Sequence, residues 1–145
     1  MKILPIAAMV TVGFLPLSFP ATAATIHVPD DQPTIQAGID AASHGDTVLV
    51  VCGTYYEHDI TMKSGVCLRS ETGEPGCVTI DAKQLGRVIY CDELDNTTRV
   101  EGMTLTGGYV VGWYSRGGGL LCYDSPITLK NCVITSNVAI GTHGG

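Results

Sequence analysis

Charge is scarce in this sequence, and positive charge is scarcest. Asp, Glu, Lys and Arg make up 15% of the residues, with 8 Lys and Arg against 14 Asp and Glu. The formal net charge is −6, so there is no clustered basic surface to meet a phosphate backbone, and nucleic acid is not an expected partner. The same acidity disfavours anionic polysaccharides unless a cation such as Ca2+ bridges the two. No C-x-x-C pair occurs, so no zinc site or redox dithiol is expected. Asn-Gly and Asp-Gly are also missing, and these are the strongest signals of a two-residue hairpin. Helical periodicity appears once only. What is abundant is glycine, at 18 residues, and many glycines with few charges point to a turn-rich β architecture.

The N-terminus has the pattern of an export leader. Lys2 supplies a short positive region, and residues 3–19 form an apolar stretch interrupted by Pro5 and Pro16. Ala21-Thr22-Ala23 then gives the small-residue pattern that signal peptidase requires. Residues 1–24 are therefore expected to be a signal peptide, cleaved near Ala23 or Ala24, with no membrane helix left in the mature chain. The expected location is extracellular or at the cell surface or outer membrane, with the periplasm as the other exported compartment. An oxidising destination makes disulfides available to the 6 cysteines, though spacing alone leaves their pairing open.

The mature chain opens on Thr25-Ile26-His27-Val28, a strand-like run, and Pro29-Asp30-Asp31-Gln32-Pro33 follows. Asp31 or Gln32 is suited to cap a helix whose first turn holds Pro33, and Ile35, Ile39 and Ala42 make one apolar face before Gly45 ends it. A strand and helix over 25–45 thus precede strands over 46–145, each short and closed by Gly, Asn, Asp or Ser. Two internal matches suggest stacked coils. Val100 to Gly108 lies over Leu129 to Asn137, with Gly102 meeting Asn131 and Gly108 meeting Asn137; Val88 to Cys91 lies over Gly119 to Cys122. Gly and Asn share tolerance of a left-handed backbone, which a sharp bend between strands needs. At roughly 20–30 residues per coil the mature chain makes about four coils. The coils are expected to continue beyond Gly145, because Gly141-Thr-His-Gly-Gly145 looks like the entry to another glycine-rich turn.

These residues carry a family resemblance. Pro33-Thr-Ile-Gln-Ala-Gly-Ile-Asp-Ala-Ala42, Gly45-Asp-Thr-Val-Leu-Val50 and Gly53-Thr-Tyr-Tyr-Glu57 resemble the opening of secreted right-handed parallel β-helix proteins of the pectin-lyase-like superfamily. Gly117-Gly-Gly-Leu120 and Asn131-Cys132-x-Ile134-x-x-Asn137 are similar to repeats of polymorphic outer-membrane proteins, with Ile134 at a usually aromatic position. The resemblance implies an all-β, right-handed parallel β-helix, a solenoid whose N-terminal helix caps the open end of the coil.

Candidate chemistry follows from the fold so implied. Polysaccharide lyases of this fold hold Ca2+ on carboxylates and use Arg or Lys as base. The acids here are Asp59, Asp81, Asp92, Asp95 and Asp124, and the bases Arg69, Arg87, Arg99 and Arg116, with Asp81 and Arg87 the leading pair. A glycoside hydrolase needs paired carboxylates, but the one Asp-Asp is Asp30-Asp31 in the capping turn, and His143 lies in Thr-His-Gly-Gly. Ser43-His44 has no nucleophile elbow around it, and His44 is read as closing the helix against its dipole. Cys67 has Arg69 two residues away, the one neighbour that would favour a reactive thiolate. The structural readings of the cysteines are Cys91 stacked on Cys122 in adjacent coils, and a loop closed by Cys67 and Cys77.

Aromatic residues are only 6% of the chain, yet Tyr109, Trp113, Tyr114 and Tyr123 cluster about the Gly-rich stretch 107–119. Exposed rings on a loop held by a rigid scaffold suit stacking on sugar faces. The expected function is a non-catalytic exported scaffold, surface or adhesin-like, contacting polysaccharide or cell-surface glycan through Tyr109, Trp113 and Tyr114. It needs no cofactor and no metal. The alternative is a carbohydrate-active enzyme, a Ca2+-dependent lyase before a glycoside hydrolase.

Overall fold

The computed structural model describes residues 22–113 and 115–141. Most of the expected leader, Tyr114 and His143 lie outside the described residues. The elements run β1 (Thr25–Val28), α1 (Ile35–Ala41), β2 (Thr47–Val50), β3 (Gly53–Tyr55), β4 (Ile60–Thr61), β5 (Cys67–Ser70), β6 (Val78–Asp81) and β7 (Ile89–Asp92). They continue with β8 (Arg99–Glu101), β9 (Met103–Thr106), β10 (Tyr109–Val111), β11 (Leu120–Tyr123), β12 (Thr128–Lys130), β13 (Val133–Ile134) and β14 (Val138–Ile140).

Alternate residues of these short strands point to one side, as the period of the β pleat dictates. Val48 and Val50, Leu68 and Ser70, Val78 and Ile80, Ile89 and Cys91, and Met103 and Leu105 are all buried. No strand is long enough to bury its apolar side chains alone, so each lies parallel on its counterpart in the next circuit. The sheets are β1-β2-β5-β8-β12, β3-β6-β9-β13, β4-β7-β11 and β10-β14. From β2 onward the strands visit the first three sheets in rotation, with β10 and β14 set apart, which makes a β-solenoid of about three turns rather than four, with β12, β13 and β14 starting a further one.

Registers stack like on like along the axis. Val48, Leu68, Val100 and Leu129 form one inward row, and Ile60, Ile89 and Leu120 another. A third consists of Tyr55, Ile80, Leu105 and Ile134. Both internal matches are therefore structural: Leu129 lies on Val100, and Cys122 lies on Cys91. The last residues of the first and third rows are exposed, Leu129 to 41% and Ile134 to 46%.

The helix packs its expected face inward, with Ile35, Ile39 and Ala42 all buried. A Cβ on Gly38 would stand 2.8 Å from Val48 Cγ1, so the helix lies directly against β2. Its N-cap is Thr34, whose Oγ1 accepts from the Ala37 N–H at 3.1 Å, rather than Asp31 or Gln32. Asp31 is occupied elsewhere, accepting from the His27 N–H at 2.7 Å, and Pro33 biases its predecessor away from helix. The helix closes at Ala41, and Gly45 turns the chain toward β2 with φ of +96°.

The disulfide joins Cys52 to Cys77, which corrects the expected Cys67–Cys77 loop. Gly53 N–H donates to Cys77 C=O at 2.8 Å as β3 pairs with β6, so Cys52 arrives beside Cys77 from the preceding turn. Cys67 sits in another sheet, in register with Thr47 and Arg99, and is a free thiol. No helix among the described residues is long and apolar enough to cross a membrane.

Candidate functional site

The outer face of the first sheet carries a polar groove. In β2, β5 and β8 the outward residues form two rows, Thr47–Cys67–Arg99 and Leu49–Arg69–Glu101. All of these but Leu49, together with His44, Gly45, Gly65 and Thr97, line a cavity of about 340 Å3. Gly65 is required there, because a Cβ would stand 2.2 Å from the His44 ring and φ is +75°. His44 thus does not close the helix. Its Nε2 faces Asp95 Oδ2 at 3.2 Å, across 51 residues of sequence.

Cys67 and His44 both line the groove and Asp95 backs His44, but the electrostatics are not those of a nucleophile. Burial pushes the Cys67 thiol up, with Glu101 adding to it against Arg99 and Arg69. That thiol stays protonated where a nucleophile would need the thiolate. Asp95 is held below the usual carboxylate range, first by the Thr97 hydroxyl and amide and then by His44. Arg69 Nε lies 3.9 Å from Glu101 Oε2. Two guanidinium groups beside a single glutamate make this a place for hydrogen bonds to an acidic or polar ligand.

Asp81 and Arg87 are each engaged in contacts of their own. Asp81 accepts from the Lys83 N–H at 2.9 Å and faces Lys83 Nζ at 3.1 Å, and the Lys83 amide holds its carboxyl below the usual range. Arg87 Nε donates to Gly117 C=O at 2.8 Å and a second guanidinium nitrogen to Arg116 C=O at 3.0 Å. Its own N–H donates to Asp59 Oδ1 at 3.1 Å. Arg87 therefore fastens the glycine-rich stretch to the coil. Among the described residues every carboxyl group with a displaced pKa (Asp31, Asp46, Asp81, Asp95) is displaced downward, which leaves none of these four primed to act as a general acid near neutrality.

Cys52, Glu71 and Cys77 place ligand atoms within 4.8 Å of one another. The two sulfurs are joined to each other, so neither offers a metal the thiolate it would need.

The aromatic stretch forms a structure of its own. Tyr109 pairs with Val138, Val110 with Ala139 and Val111 with Ile140, so β10 and β14 make a separate two-stranded ladder. At its end Val111, Gly112, Trp113, Ile140 and Gly141 line a mostly apolar cavity of about 310 Å3. Trp113 is 77% exposed and borders this cavity, whereas Tyr109, 36% exposed, is not in its lining. Tyr123 belongs to β11, in a different sheet. Sequence spacing brought the aromatics to notice, but the apolar partner Ile140 lay hidden because it arrives from the next turn. Cys91 and Cys122, in register on β7 and β11, are free thiols; Cys91 is pushed to higher pKa by burial and then by Cys122.

Comparison with protein-family models, with curated proteins and with solved structures finds no match to this chain.

Proposed function

We propose that this chain is a non-catalytic exported scaffold, surface or adhesin-like, that contacts glycans through the β10–β14 ladder. The observation that carries this reading is Trp113, a largely exposed ring beside an apolar cavity at the end of the two-stranded ladder. A flat apolar face with a polar N–H at its edge suits the CH-rich face of a sugar. The resemblance of the opening to the pectin-lyase-like superfamily, and of the later coils to outer-membrane repeats, agrees with such a role. Function is nevertheless grafted onto a fold by its sites, and the commitment of Asp81 and Arg87 to structural contacts supports binding over catalysis.

The enzymatic alternative has one observation in its favour, the groove holding Arg69, Arg99 and Glu101. A single experiment separates the two. The protein is incubated with immobilised neutral and acidic polysaccharides, with and without Ca2+, while retention and ultraviolet absorbance are followed. Retention without new absorbance, weakened about tenfold by Trp113→Ala, is the expected result. Retention indifferent to Trp113→Ala removes the ladder, and rising absorbance from unsaturated product moves the function to the groove.

A further inference from the structure

We propose that the export leader is removed between Ala23 and Ala24, and that Asp46 is the receptor for the α-ammonium this cut creates. The sequence offers two adjacent cut points, because Ala23 and Ala24 are both small. The structure distinguishes them. Ala24 N–H donates to Asp46 Oδ1 at 2.7 Å, and Ala24 C=O accepts from the Thr47 N–H at 2.9 Å. Thr22, Ala23 and Ala24 are all exposed and precede β1, but residue 24 is tied through both its N–H and its C=O to the start of β2.

Asp46 is suited to receive a cation. It is 8% exposed, and its second oxygen accepts from the Ser43 N–H at 2.7 Å. A carboxylate so covered is stabilised by a positive partner. Lys63 acts on it at longer range, its Nζ being bonded to the Asp40 and Ala42 carbonyls at 3.0 and 2.6 Å. The carboxyl already lies below its ordinary range, first through the Ala24 N–H and then the Ser43 N–H.

Cleavage converts the first of those donors from an amide into a charge. An export endopeptidase specific for small residues breaks the Ala23–Ala24 C–N bond. Water supplies hydroxyl to the Ala23 carbonyl carbon and a proton to the Ala24 nitrogen, and at neutral pH the products are a carboxylate and an ammonium. Cleavage one bond later would leave Thr25 first and remove both Ala24 contacts.

The pairing has a distinct pH signature. A carboxylate at 2.7 Å raises the ammonium pKa above its ordinary value of about 8. Its contribution to stability is then complete below that value and is lost as pH rises through the folded pKa. Of the other titratable groups, Lys63 acts on the Asp46 carboxylate, Cys67 donates its N–H to the Asp46 C=O at 3.0 Å, and His44 lies two residues before Asp46. All are common to both chains compared below, so the difference between them reports the ammonium.

The test begins with protein exported by a host that processes the leader, its first residue identified by mass spectrometry. Melting temperatures are then measured from pH 7 to pH 10 for that protein and for a chain beginning at Thr22. The expected results are a first residue of Ala24 and a melting temperature about 4 °C higher than the extended chain at pH 7. The gap closes by pH 10, and Asp46→Asn abolishes it. If that variant does not fold, the extended chain, which retains Asp46, still makes the comparison. A first residue of Thr25, a retained leader, or superimposable curves for the two chains would overturn the proposal.

Discussion

Gly102 and Asn131 hold equivalent places in successive turns, and both have a left-handed backbone, with φ of +68° and +50°. Their equivalence was legible in the sequence because only a few residue types accept that conformation. Gly108 and Asn137 looked like a second such pair, yet neither has positive φ. That role falls one residue earlier, to Gly107 at +69° and Ser136 at +56°. Gly108 and Asn137 are instead bonded to each other, the Asn137 Oδ1 accepting from the Gly108 N–H at 2.7 Å. A Cβ at Gly108 would strike Gly118 O at 2.0 Å, a close approach that no pairwise residue match could show. At Gly102 a Cβ would stand 2.4 Å from the Gly73 carbonyl carbon, in addition to the strain of positive φ. Gly102→Ala is therefore expected to destabilise by at least about 2 kcal/mol in urea unfolding. Asn131 already accommodates its Cβ and donates to Gly73 C=O at 3.2 Å, so Asn131→Ala meets no clash and should lose only about 1 kcal/mol, from that bond and from Asn's tolerance of the left-handed backbone. Equal losses for the two would refute this account of the bend.

At the scale of the element, α1 shows how far local reading reaches. The spacing of Ile35, Ile39 and Ala42 marks its buried face, and all three are buried. Its end groups are met from elsewhere. The Ile35 and Gln36 N–H groups donate to the two oxygens of Glu57 at 2.8 and 3.0 Å, and Lys63 Nζ donates to the carbonyls of Asp40 and Ala42. A negative group at the N-terminus and a positive one at the C-terminus both oppose the helix dipole favourably. Neither was legible, because Glu57 lies 22 residues from Ile35 and nothing in the spacing joins them. A helix of 7 residues is too short to persist alone, so this clamp and the packed face must hold it. Glu57→Gln, which keeps one acceptor and removes the charge, is expected to destabilise by about 1 kcal/mol; Glu57→Ala, which orphans both N–H groups, by about 2 kcal/mol. Far-ultraviolet circular dichroism during thermal unfolding measures both. An alanine variant as stable as the parent would show that packing alone holds the helix.

Over the whole molecule, the parallel solenoid was legible from short strands without hairpin turns, while the number of turns and their register were only half visible. In the first sheet Thr47 lies on Cys67 after 20 residues, Cys67 on Arg99 after 32, and Arg99 on Thr128 after 29. Loops of unequal length between strands of fixed register erase any constant period from the early turns, and only the last two turns repeat closely enough to be seen. The Cys52–Cys77 disulfide escaped for the same reason, since its partners meet through the pairing of β3 with β6. It crosses a separation of 25 residues and joins one turn to the next. In a stack where each turn rests on its neighbours, a bond between turns restrains the unfolded chain and opposes opening at that junction. The chain-entropy model assigns a loop of this size about 3.5 kcal/mol. Replacing both Cys52 and Cys77 by Ser should lower unfolding stability by that amount and make the remaining stability insensitive to dithiothreitol, because the other cysteines are free thiols. Peptide mapping without reductant should recover a single linked pair. A Cys67–Cys77 peptide, or a double variant still sensitive to reductant, would mean that the covalent link follows the sequence rather than the ladder between turns.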